Sequence, residues 1–104
     1  MIGLATKAGK TVSGEFATEK AVKEGKAFLV VVAEDASENT KKLFRNKCEF
    51  YKTEYLVFGS KIELGLATGR EMRASIAVTD KGLCSAILKK LENSKNNVNE
   101  NGGI

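Results

Sequence analysis

Histidine is absent from the 104 residues. That removes the Ser-His-Asp triad, the Cys-His dyad and every zinc site with a His ligand. Only two cysteines are present, Cys48 and Cys84, and they have no C-x-x-C spacing. Two isolated thiols do not complete a structural zinc site, and the apolar neighbours of each predict buried, reduced side chains. No convincing pair of carboxylates for acid–base work stands out. The chain therefore reads as non-catalytic, with no metal and no cofactor expected.

Long hydrophobic runs are also missing. The longest, "AFLVVVA" from Ala27 to Ala33, falls far short of the ~20 residues of a membrane span. It has the length of a strand buried on both faces. The opening "MIGLATKAGK" has neither the apolar stretch nor the cleavage site of a secretory signal. A cytoplasmic protein is expected. Phosphate loops fail as well. Gly9-Lys10-Thr11 ends like a Walker A loop, but the pattern needs Gly where Leu4 stands. Gly65 and Gly69 do not fit the dinucleotide fingerprint G-x-G-x-x-G.

What remains has an ordinary globular balance, 42% hydrophobic and 29% charged, with a net charge of +4. The excess is mild and permits a nucleic-acid partner without requiring one. Helix and strand signals alternate. Ile2 to Gly9 reads as a short helix and Lys10 to Ser13 as a short strand. Glu15 to Glu24 reads as a helix stopped by Gly25. Ala27 to Ala33 is a strand, and Ser37 to Lys52 the longest helix, with Phe44, Cys48 and Tyr51 inward and Leu43 and Phe50 beside them. Tyr55 to Gly59 is a strand, and Ser60 with Glu63 forms a capping box for a helix ending near Gly69. After a charged loop come a strand, Ser75 to Thr79, and a helix capped by Asp80 with Leu83, Ile87, Leu88 and Leu91 in one stripe. This order argues for an α/β domain with helices on both faces of a small sheet. The folded domain is expected to cover residues 1–92. Residues 93–104, "NSKNNVNENGGI", have the composition of a disordered tail.

Projected at 100° per residue, Ala17, Thr18, Ala21 and Val22 share one face of the helix Glu15 to Glu24. Phe16, Lys20 and Lys23 share the opposite face. An aromatic between two lysines can stack on a base while the lysines hold phosphate; equally, Phe16 can fold back onto the first helix as packing. Lys41, Lys42 and Arg45 read as a solvated outer face of the third helix.

Three stretches, "GEFATEKAVKEGKAFLVVVAEDAS", "SKIELGLATG" and "REMRASIAVTD", resemble the L-seven-Ae family of ribosomal and RNA-binding proteins, and within it the short bacterial members. The resemblance covers about Ile2 to Leu91. It implies a three-layer α-β-α sandwich around a four-stranded mixed sheet. It implies a structured RNA partner of the kink-turn type, such as ribosomal RNA, with no membrane and no small-molecule substrate. Carried over by position, the contacts would be Gly14, Glu15 and Phe16 at the start of the second helix, Lys20 one turn on, Lys61 before the Leu-Gly pair, and Arg70, Met72 and Arg73 in the loop beside a flipped-out nucleotide. One departure is plain. Members that bind kink-turns usually carry Asn-Glu where this chain has Phe16-Ala17, and neither of these can hydrogen-bond a guanine edge. The alternative expectation is a protein-interaction module of the same fold.

Overall fold

Four consecutive residues, Leu29 to Val32, are 0% exposed. They form β2 (Leu29–Val32) at an inner position of the sheet. A strand with both faces dry needs a layer on each side, and the rest of the chain supplies them. The computed structural model describes the backbone of residues 2–101 and the side chains of residues 2–91. The remaining elements are α1 (Ile2–Lys7), β1 (Thr11–Ser13), α2 (Glu15–Lys23), α3 (Glu38–Tyr51), β3 (Glu54–Val57), α4 (Lys61–Ala67), β4 (Ser75–Val78) and α5 (Lys81–Asn101). The sheet order is β1-β4-β2-β3. β2 pairs parallel with β3 and antiparallel with β4, which pairs antiparallel with β1. Helices α2 and α3 cover one face; α1, α4 and α5 cover the other. The mixed four-stranded α-β-α sandwich expected from the sequence is the architecture observed.

These directions gather several chain reversals at one edge of the sheet. β1, β2 and β3 all run toward it, and β4 starts from it. The starts of α2, α3 and α4 and the loop before β4 therefore crowd together there. At the same edge the Ala33 N–H donates to the Ala74 carbonyl at 2.9 Å, and the Glu34 N–H to the Gly59 carbonyl at 2.7 Å.

Local signals held at several ends. Ser37 caps α3, its hydroxyl accepting from the Thr40 N–H at 3.1 Å. Asp80 accepts from the Leu83 N–H at 2.8 Å. Both faces assigned to α2 are correct: Thr18, Ala21 and Val22 are buried while Phe16, Lys20 and Lys23 are exposed. One expectation fails. Tyr51 is not on the inner face of α3. It sits in the last turn, just before Lys52 leaves the helix with φ 58°, and its ring meets Phe50 edge to face at a centroid distance of 4.9 Å. The Asn-rich segment expected as a tail lies beyond the described side chains. The backbone of α5 continues as helix to Asn101, and residues 102–104 lie outside the described residues. Nothing in 93–101 forbids a helix, since proline is absent.

Cys48 and Cys84 are buried free thiols, as expected. Burial pushes the Cys48 thiol up from 9.0 to about 11. An unfolded thiol ionises near 9, so the group's contribution to stability is complete below that pH and is lost as pH rises toward about 11. Denaturant melts between pH 8 and 11 are expected to show a decline that is shallower in Cys48→Ala, even though that variant is less stable at pH 8. A second expectation concerns length. Among the described residues, the apolar stripe of α5 that packs on the core is Leu83, Ile87, Leu88 and Leu91. A chain stopped at Glu92 is expected to keep its melting temperature within about 4 °C, the shift produced by roughly 1 kcal/mol in a domain of this size.

Candidate nucleic-acid interface

The start of α2 is set by Gly14, whose backbone has φ 94° and ψ 156°. That region favours glycine. The Gly14 N–H donates to the Ser75 carbonyl at 2.9 Å, and its carbonyl accepts from the Thr18 N–H at 3.0 Å. No side chain caps this helix, so its first-turn amides remain free to meet an outside acceptor. Glu15 and Phe16 follow, both exposed, Phe16 at 80%. The ring is not folded onto α1.

Lys20 and Lys23 share the outer face of α2 but differ in commitment. Lys23 pairs with Glu19 at 3.7 Å, and Glu19 also meets Lys47 of α3 at 3.7 Å. Among the described residues Lys20 makes no ion pair. It is the cation on this face left for a polyanion. On α3, Lys41 pairs with Glu38 at 3.8 Å, and Lys42 and Arg45 are exposed, in line with a solvated outer face.

Helix α4 is fastened at its first turn. The Ser60 hydroxyl accepts from the Glu63 N–H at 3.0 Å, and Glu63 Oε1 accepts from the Ser60 N–H at 2.9 Å. The Lys61 N–H donates to Asp35 Oδ1 at 2.8 Å. Three of the helix's orphan donors are thereby satisfied. Four residues on, Gly65 lies under the loop that leads to β4. A Cβ there would stand 2.6 Å from the Met72 nitrogen and 2.7 Å from the Glu71 carbonyl carbon and oxygen. Only a hydrogen fits. The Arg70 N–H donates to the Gly65 carbonyl at 2.7 Å, so the loop rests on the helix backbone to backbone.

The loop then reaches across the molecule. The Arg73 N–H donates to the Lys61 carbonyl at 2.9 Å. Its guanidinium donates from Nε to the Ser13 hydroxyl at 3.1 Å and from Nη1 to the Met72 carbonyl at 2.9 Å. A Cβ on Gly14 would be 4.0 Å from that Nε. The sequence-derived residues Gly14, Lys61, Met72 and Arg73 are thus joined through one backbone network, with Glu15, Phe16 and Lys20 following along α2. Arg70 and Met72 are exposed, Met72 at 49%. Asp35 and Ser13 were not singled out from the sequence. Their partners lie 26 and 60 residues away, and no local pattern announces them. Gly65 had a local signal, since glycine inside a helix costs about 1 kcal/mol against alanine and asks for a reason.

The chain belongs to the Ribosomal protein L7Ae/L30e/S12e/Gadd45 family, whose model matches residues 1–89. Within that family it is similar to the RNA-binding protein YlxQ of Bacillus subtilis, 40% identical over 88% of this chain and 92% of that one. It is also similar to the large ribosomal subunit protein eL30 of Methanoregula boonei, 36% identical over 75% of this chain and 79% of that protein. Among solved structures, a Bacillus halodurans protein of unknown function superimposes with a TM-score of 0.75 at 38% identity, covering 78% of this chain and 82% of that one.

Gly65→Ala tests the close approach. The neighbours are backbone atoms and cannot swing aside, so overpacking is expected to cost about 1–3 kcal/mol in unfolding free energy. The amide resonances of residues 70–73 should move while those of the opposite sheet edge stay. A variant as stable as the parent, with unmoved loop amides, would show that the loop has room to lift.

Proposed function

We propose that this chain is a non-catalytic RNA-binding protein that recognises a kink-turn or similar structured RNA in association with the ribosome. The observation that carries the reading is the uncapped start of α2, followed one turn later by Lys20, which makes no ion pair among the described residues. Backbone donors and the positive helix end attract phosphate, and Lys20 adds a full charge with no internal rival. Phe16 and Met72 offer apolar faces for unstacked bases, a mode suited to RNA loops and bulges. Lys61, Arg70 and Arg73 flank them, and Glu15 borders the helix start. Family membership and the relatives, one an RNA-binding protein and one a ribosomal protein, support the same reading.

Phe16-Ala17 favours a second reading, a protein-interaction module of the same fold, because neither side chain can hydrogen-bond a base. The two are separated by titrating the protein, at a fixed salt concentration, with a kink-turn RNA and with a mutant whose G·A pairs are replaced by Watson–Crick pairs. Preferential binding of the first is expected. Equal affinity for both and for plain duplex would remove the specificity, and no binding to any of them would favour the protein partner. Within the same assay Lys20→Glu should weaken binding and reduce the slope of log affinity against log salt by about 1. Phe16→Ala should cost about 1–3 kcal/mol of affinity, the range for a stacked base, at an unchanged melting temperature.

A further inference from the structure

We infer that Arg73 is a positioning residue of the interface, a latch between the loop before β4 and the start of α2, and not a phosphate ligand. The inference rests on the RNA-binding reading above and refines the role of one residue within it. Three donors of Arg73 are already engaged inside the protein. Its amide holds Lys61 of α4, Nη1 holds the Met72 carbonyl, and Nε holds the Ser13 hydroxyl. Ser13 ends β1 and directly precedes Gly14, the residue that opens α2. The guanidinium therefore ties the carbonyl of the exposed Met72 to the strand that feeds the helix start. The planar fork suits this task, since one rigid group serves two acceptors in fixed directions. Arg70, by contrast, has no side-chain partner among the described residues and is exposed; it is the free cation of the loop. The latch fixes the separation between Met72 and the α2 amides before RNA arrives.

The test compares Arg73→Ala, Ser13→Ala, the double variant and Ser13→Thr in kink-turn titrations over a range of salt. Arg73→Ala and Ser13→Ala are each expected to lose roughly tenfold in affinity, in keeping with a hydrogen bond to a charged group. The double variant should lose little more than either, because both remove one link. Ser13→Thr, which keeps the hydroxyl and suits a strand, should bind like the parent. The salt slope should not change in any of the four, whereas Arg70→Ala should lower it by about 1. Hydrogen exchange of the loop amides 70–73 should speed up in Ser13→Ala without RNA. Parent-like affinity in Ser13→Ala together with a lowered slope in Arg73→Ala would overturn the latch and make Arg73 a phosphate contact; so would additive losses in the double variant. If the parent binds no RNA, the functional reading falls, and the exchange measurement alone decides the latch: unchanged loop amides in Ser13→Ala would overturn it.

Discussion

The dryness of β2 on both faces is the constraint from which the rest follows. Leu29, Val30, Val31 and Val32 have no exposed surface, and burying each such side chain is worth about 1.5–3 kcal/mol. That gain is available only if helices cover both sides. A parallel partner, β3, then requires a crossover helix, which is α3, packed over β2 and β3. The direction of β2 also decides where the other chain reversals fall. With β1 and β3 running alongside it and β4 returning against it, three helix starts and one incoming loop share a single edge. The candidate site is the polar finish of that edge.

At this edge close backbone approach does what large side chains do elsewhere. Gly14 supplies a positive φ and Gly65 supplies room. Asp35, Ser60, Glu63 and Arg73 satisfy backbone groups that would otherwise be orphaned. The ties are short, and they connect β1, α4 and the loop. A net charge of +4 is too small to define a binding face by itself. Some of the cations are spent within the protein. Lys23, Lys26, Lys41 and Lys47 have acidic partners, and exposed pairs of that kind add at most about 1 kcal/mol each to stability. Among the described residues Lys20, beside the open start of α2, has no such partner.

Much of this was legible in the sequence wherever the cause was local. The capping box at Ser60 and Glu63, the Asp80 cap, the apolar run of β2 and the two faces of α2 all depend on residues within four positions of one another. Tyr51 was misplaced because helical periodicity extends a stripe past the point where the sheet stops supporting it. Arg73 was identified as part of the site, but its ties to Ser13 and Lys61 come from pairings across the molecule. So does Asp35. Long-range hydrogen bonds leave no periodic trace, and they are what give the site its shape.

The exchange of hydrogen-bonding residues for Phe16-Ala17 bears on how such a surface would discriminate. Stacking on an exposed ring accepts any base, because every base has a π-face. Apolar contact from Met72 is similarly tolerant. At the α2 start Phe16 and Ala17 therefore offer no side-chain hydrogen bond to a base edge. Recognition of shape is still available, and shape recognition improves with rigidity, since a surface already ordered loses less entropy on binding. The close packing over Gly65, the double fastening of α4 and the anchoring of the loop to β1 all order the surface without a ligand. A binding face with tolerant contacts on a rigid frame reads the angle and spacing of a bent backbone in preference to base identity. Under the proposed RNA reading, Phe16-Ala17 and the fixed loop geometry belong together: the first would forgo base readout at these two positions, and the second would supply specificity through shape.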